Sequence, residues 1–355
     1  VLALHNRHVG SGPLTIALVA SPVTPLGGDQ VGGAQAVVVD LAQGLAARGH
    51  TVTVHCASGS RVPGVEVREV DVPQAAARAA LVHPGRSARR VPEVDAAIAS
   101  MFREVDRSGC DVVSQHAFDA AAFEIVTDPP VLHTLHLPPL EGPAVQAVRE
   151  VPPWRLVTVS ESSRREWARE GVRVQRVIRN GLRAEPVAEQ DVRRRAFAAG
   201  RLSPEKGFED AIRACRDAGI PLTIAGSRYD PDYRVDLDAT DFIGPLPRSD
   251  VRATMARCAV FVCPIRWEEP FGLAAAEAQM SGCPVAGYRR GALPEVVEEG
   301  VSGYLAEPDD VNGLACAITR CLTLDRREVR ASAQARLGID PMLDAYESAL
   351  RVLAR

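Results

Sequence analysis

Thr15-Ile16-Ala17-Leu18-Val19-Ala20, followed by Gly27-Gly28-Asp29-Gln30-Val31-Gly32-Gly33, is the stretch from which the fold is read. A short apolar run that breaks into Pro and Gly has the signature of a strand buried on both faces in a parallel sheet. After the glycine loop, Ala34, Val37, Val38, Leu41, Ala42 and Leu45 recur at helical spacing until Gly49, and Thr51-Val52-Thr53-Val54 begins a second strand. This is a β-loop-α-β unit. Apolar runs at Asp111–Val113, Val131–Leu135 and Leu156–Val159 extend the same sheet, with helices between them.

The scheme then repeats. Ala196-Phe197-Ala198-Ala199 leads to Gly200, a helix is predicted from about Phe208 to Ala218, and Leu222-Thr223-Ile224-Ala225 follows as a strand. Phe242-Ile243-Gly244, Val260-Phe261-Val262 and Pro284-Val285-Ala286 supply further strands. A chain of 355 residues exceeds one hydrophobic core, so two doubly wound α/β domains are expected. The boundary is placed near Asn180 to Glu189. The division is a flexible leader over 1–13, an N-terminal domain over 14–184, a C-terminal domain over 185–338, and a terminal helix over 339–355 that crosses back to the N-terminal domain in one arrangement.

Composition narrows the function classes. A net charge of -4 with 24% charged residues gives no basic face for nucleic acid, and no apolar stretch reaches the ~20 residues that span a bilayer. Eight scattered cysteines without a CxxC pair read as reduced and mostly buried. No secretory signal is read before Pro13, so a cytoplasmic location is expected. Arg164, Arg165, Arg169, Arg173, Arg176 and Arg179, set among Glu161, Glu166 and Glu170, read first as a solvated face, with membrane contact the lesser reading.

Of the 41 lysine and arginine residues only Lys206 is lysine, and it stands in Gly200-Arg201-Leu202-Ser203-Pro204-Glu205-Lys206-Gly207. A compact ammonium beside a glycine turn suits a phosphate oxygen in a tight pocket where a planar guanidinium does not. Glu268-Glu269-Pro270-Phe271-Gly272-Leu273-Ala274-Ala275-Ala276-Glu277 reads as a loop entering a helix, whose N-terminus offers amides and a dipole to an anion. Asp230-Pro231-Asp232 has the form of a metal-binding DxD, but proline and the flanking tyrosines make it a surface turn. No metal site or cofactor is expected. The first glycine loop lacks GxGxxG and Cys56 stands where a dinucleotide enzyme places an acid, which disfavours an oxidoreductase.

Taken together, Glu269-Pro270-Phe271-Gly272 through Glu277, Gly200-Arg201 with Glu205-Lys206-Gly207, and Gly32-Gly33-Ala34-Gln35 resemble the retaining glycosyltransferases of family 4. A weaker match is Val177-Ile178-Arg179-Asn180-Gly181, with arginine where the family has proline. The resemblance covers almost the whole chain. It implies the GT-B fold, two Rossmann-like domains with a cleft between them. It also implies a metal-independent retaining transfer of a hexose from a nucleoside diphosphate sugar to a small-molecule or glycoside acceptor hydroxyl.

By the same resemblance Glu277 holds ribose hydroxyls, Glu269 holds donor-sugar hydroxyls, and Arg201 and Lys206 bind the diphosphate. Gly32, Gly33, Ile243, Phe271, Gly272 and Leu273 complete the donor site. The family's strand ending in two histidines one residue apart is matched by Ser114-Gln115-His116, so His116 is the candidate that faces the reacting sugar. His133 and His136 are read as core or cleft lining. A sugar-nucleotide epimerase or phosphorylase-like enzyme stays open, as does a non-catalytic nucleotide-sugar-binding protein, the latter suggested by Ser114.

Overall fold

In a computed structural model the chain is described at 12–27, 32–81, 89–140, 142–185, 191–228 and 232–355. Residues 1–11 of the expected leader, 28–31 of the first glycine loop, 186–190 of the boundary segment and 229–231 of the DxD-like turn lie outside the described residues.

The first sheet holds seven strands, β1 Thr15–Val19, β2 Thr51–Ala57, β3 Glu66–Val70, β4 Val112–Gln115, β5 Val131–Leu135, β6 Leu156–Thr158 and β7 Arg176–Val177. Their order is β3-β2-β1-β4-β5-β6-β7 and every pairing is parallel. The second sheet holds β8 Arg193–Ala199, β9 Leu222–Ala225, β10 Asp241–Phe242, β11 Cys258–Cys263, β12 Val285–Tyr288 and β13 Gly303–Ala306. It runs β10-β9-β8-β11-β12-β13, again parallel throughout. Two doubly wound domains are present.

In each sheet the order reverses once, between β1 and β4 and between β8 and β11. Ligands of such sheets bind beyond the carboxyl ends of the strands at that reversal, because helices leave to opposite faces there and open a crevice. The segments after β1, β4, β8 and β11 are therefore the ones positioned for chemistry.

β8 starts at Arg193, three residues before the apolar run, and β10 ends at Phe242 rather than Gly244. The terminal helix, Ile339–Leu353, leaves the C-terminal domain and packs on the other one. Its Met342, Leu343, Tyr346, Ala349 and Leu350 are buried in one cluster with Ile16, Leu18, Leu41, Val54 and Leu132. The chain crosses between domains twice at one place. Leu182 pairs with Gly338 as an isolated parallel bridge, and its N–H bonds Leu337 O at 2.8 Å.

All eight cysteines are unpaired and seven are buried, as expected. Among the described residues no helix is long and apolar enough to cross a membrane.

Candidate functional site

Beyond β8 the chain turns at Gly200 and makes a single 3-10 turn, Pro204–Lys206, that ends on Gly207 in the left-handed region (φ 66°). A Cβ at Gly207 would stand 2.1 Å from the carbonyl oxygen of Pro264, so glycine lets this turn press against the end of β11. The turn delivers Lys206. Its Nζ donates to Glu269 Oε2 at 3.0 Å, and Trp267 Nε1 donates to the same oxygen at 2.8 Å. Burial pushes the Glu269 carboxyl up, but the charge and hydrogen bond of Lys206, with Trp267, outweigh it and hold the carboxyl below its ordinary range.

Arg201 lies on the same turn and reaches Glu205 Oε1 at 3.5 Å, an oxygen that also accepts from Ser203 Oγ at 2.6 Å. Gly272 (φ 90°) opens the helix Leu273–Met280. Glu277 on that helix pairs with Arg248, a residue the sequence reading did not single out. These bonds engage Oε2 of Glu269 and Oε1 of Glu277, and among the described residues neither carboxylate's second oxygen accepts a hydrogen bond.

On the opposite wall, Gly33 begins the helix Gly33–Ala47 with Gly32 as its cap. A Cβ at Gly33 would come within 2.7 Å of Leu273 Cδ1. Two helix N-termini from the two domains thus meet across the cleft, and their free amides and dipoles favour an anion placed between them.

At the end of β4, buried Ser114 Oγ lies 2.9 Å from His116 Nε2, and His116 Nδ1 lies 2.9 Å from His136 Nε2. The histidine rings stack at 5.2 Å, with the ring of Tyr346 5.9 Å from His116. Both ring nitrogens of His116 are bonded within the protein, whereas Nδ1 of His136 is not used by this chain of bonds. Burial drives His136 down to about 4 and His116 well below its ordinary value, the latter helped by its neighbour His136, so both rings are neutral at pH 7. His133 is core, held 3.1 Å from Gln115 Oε1 and stacked on Phe123.

A cavity of about 800 Å³ runs between the domains. It is lined by Gly32, Gly33, His116, Arg201, Lys206, Glu269, Phe271, Gly272, Leu273 and Glu277, so ten of the expected site residues converge. Ile243 does not line it. That residue is 42% exposed beyond β10, with its N–H bonded to Ile224 O. His136 lines the cavity, one of the two histidines read from sequence as core or cleft lining, whereas Trp267, Arg248 and Asp119 line it without having been assigned a role from sequence.

The arginine-rich segment is in part internally paired, Arg164 with Glu161 and Arg169 with Glu166. Arg179 and the first amides of the helix Glu161–Arg169 bond Glu295 of the other domain, at 3.5, 3.0 and 2.6 Å. Part of the run is thus an interdomain clasp.

Two family models divide the chain between them. Residues 31–185 match "Glycosyltransferase Family 4" and residues 184–337 match "Glycosyl transferases group 1". The chain is 33% identical to the glycogen synthase of Mycobacterium tuberculosis over 63% of its length, an alignment that spans 64% of that protein. It is 28% identical to the D-inositol 3-phosphate glycosyltransferase of Kribbella flavida, covering 87% of this chain and 86% of that one. Among solved structures, Anabaena HepE in complex with UDP and glucose superposes with a TM-score of 0.74 at 18% identity, over 95% of this chain and 99% of the other.

Proposed function

The chain belongs to the family 4, group 1 glycosyltransferases of GT-B fold, and from that membership we propose that it moves a sugar from a nucleoside diphosphate sugar to an acceptor hydroxyl with retention and without a metal ion. The observation that carries the reading is the placement of Arg201 and the Lys206–Glu269 pair at the reversal of the second sheet, facing the N-terminus of Gly33–Ala47 across the cavity. Such a site suits a donor whose diphosphate lies between the two helix ends.

In this reading Glu277 takes the ribose hydroxyls and Glu269 the sugar hydroxyls, each through its uncommitted oxygen. Arg201, Lys206 and the amides of Phe271, Gly272 and Leu273 face the diphosphate. As the glycosidic bond breaks, negative charge builds on the departing phosphate, and fixed cations and dipoles in a cleft shielded from water lower the barrier. No protein nucleophile is required. The acceptor attacks on the face the leaving group vacates, and the donor phosphate takes the acceptor proton. The UDP and glucose bound in the HepE structure support UDP and a glucosyl group as the first donor to try.

Calorimetry of UDP, GDP and ADP against the full chain, with Glu277→Ala beside it, tests the donor site. Binding of one diphosphate that weakens in Glu277→Ala is expected, and binding of none, or an unaltered dissociation constant, rejects it. Proton NMR of the first product tests retention, which an inverted anomeric configuration would exclude. Conversion of the donor to an epimer without acceptor would replace the transferase reading with the epimerase one.

A further inference from the structure

We propose that the N-terminal half of the cavity takes an acceptor whose reacting hydroxyl is carried on an apolar body, an alkyl or aryl alcohol or glycoside rather than a free sugar or sugar phosphate. The inference rests on the transferase reading and names its acceptor class. The wall of this half is made by Leu81, Val91, Phe118, Leu137, Leu140 and Pro143, brought together from separate segments of the domain. Phe118 follows His116 by two residues and Leu137 adjoins His136, so the apolar wall begins where the histidines end. Its occupant, continuous with the donor cleft, has to present a hydroxyl there.

Among the described residues the charges on this half balance. Arg89 and Arg90 line it against Asp95 and Asp119. Arg90 is engaged by Glu124 and lies 4.0 Å from Asp95, and Arg89 is exposed. Burial raises the Asp119 carboxyl to about 6, partly offset by a backbone hydrogen bond and helped to a lesser extent by the negative charge of Asp95. A phosphate brought to this wall would meet the carboxylates of Asp95 and Asp119 with Arg89 as the one lining cation not engaged by Glu124 or Asp95, so its loss of water is only partly repaid. A hydroxyl on a hydrophobic body instead finds one carboxylate to bond and apolar surface to cover, the usual balance of a small-molecule pocket.

The test is calorimetric, on the full chain with and without saturating UDP, using hexyl β-D-glucoside, methyl β-D-glucoside and glucose 6-phosphate as probes. Hexyl glucoside is expected to bind roughly tenfold more tightly than methyl glucoside, the factor given by burying about two methylenes. Leu140→Asp should erase that advantage. Leu81→Asp, at an already exposed position, gives the same reading if Leu140→Asp does not fold. Equal or tighter binding of methyl glucoside or glucose 6-phosphate, no binding of hexyl glucoside, or an advantage that survives both substitutions overturns the proposal. The UDP titration reports separately on the donor site, so loss of the transferase reading is distinguishable from loss of the acceptor class.

Discussion

At the scale of single residues, bond counting separates the two cleft histidines. A neutral imidazole has one donor and one acceptor nitrogen, and His116 spends both on Ser114 and His136. Serine therefore occupies the position of the family's first histidine by anchoring the ring, and the free end of the chain of bonds is His136. His136→Gln is expected to lower kcat by about 10² with nucleoside diphosphate affinity unchanged, the scale of one lost preorganised hydrogen bond to the reacting sugar; an unaltered kcat would return the role to His116. Lys206→Arg tests the lone lysine. Its Nζ reaches Glu269 beside Gly200, where a Cβ would already stand 3.7 Å from Lys206 Cδ, and with the centroid of the Trp267 ring 5.7 Å away, so a guanidinium keeps the charge but not the fit, and kcat should fall about tenfold or more. Rates equal to those of the native chain would show that charge alone suffices.

The same histidines set an acid limit on stability. His116, His133 (about 3) and His136 (about 4) all lie below the ordinary 6.5, chiefly through burial. Below pH 6.5 the unfolded chain binds protons that the folded chain refuses, so each histidine costs about 1.4 kcal/mol per pH unit until its folded value is reached. Asp119, raised to about 6, acts in the opposite sense between there and its ordinary 3.8. His55 is also lowered, chiefly by burial; four against one, the urea midpoint should drop between pH 7 and pH 5, and drop less in His136→Gln, and a flat midpoint would contradict the neutral, buried assignment. Lys206 and the Glu269 to Glu277 segment were legible in sequence because their types and spacing are local. Arg248 and Asp119 were not, since Arg248 acquires meaning only when folding brings it to Glu277, 29 positions away.

At the scale of elements, glycine decides where the cation-bearing turn sits. Gly207 and Gly219 share nearly the same left-handed conformation, φ 66° and 63°, but a Cβ at Gly207 would strike Pro264 O while one at Gly219 meets nothing within 4 Å. Alanine at either position carries a backbone cost of about 1–3 kcal/mol. Only Gly207→Ala adds a clash that lifts the turn from β11 and carries Lys206 with it. Gly207→Ala should lower Tm further than Gly219→Ala and cut kcat about tenfold or more, while Gly219→Ala retains kcat; matching losses would mean that the contact with Pro264 is immaterial. The turn glycines and the helices Gly33–Ala47, Phe208–Asp217 and Ile339–Leu353 were readable because their signals are strong over few residues, whereas Pro92–Ser108, the longest, was not singled out. β3 was missed because Glu66-Val67-Arg68-Glu69-Val70 is an edge strand with exposed charges, and the start of β8 because Arg193, Arg194 and Arg195 hide it. Ile243 lies off the cavity because β10 stops one residue earlier, which leaves it beyond the sheet edge.

At the scale of the whole molecule, the two domains are joined by chain crossings that touch. A Cβ on Gly181 would stand 2.6 Å from Ile339 Cα and 2.7 Å from Gly338 O, and Gly181 N–H bonds Met342 Sδ at 3.1 Å. The outgoing and returning segments are thus pressed together where any rotation of one domain on the other has to be absorbed. The returning helix also carries Tyr346, whose hydroxyl lies 3.1 Å from Thr134 Oγ1 and whose ring lies beside His116. Motion at the crossing is therefore mechanically tied to the acceptor wall. Gly181→Ala separates the two crossings without touching the cavity. Nucleoside diphosphate affinity, which rests mainly on Arg201, Lys206 and Glu277 of the C-terminal domain, should change by no more than a few-fold, whereas kcat should fall about tenfold because closure places donor against acceptor within a fraction of an ångström. Small-angle scattering supplies the second reading: the compaction on adding UDP to the native chain should be reduced in Gly181→Ala. Native compaction together with native kcat would show that the crossing is a passive tether, and would move the hinge to the Glu295 clasp, whose three bonds to the helix Glu161–Arg169 and Arg179 are the next contacts that a rotation would have to break.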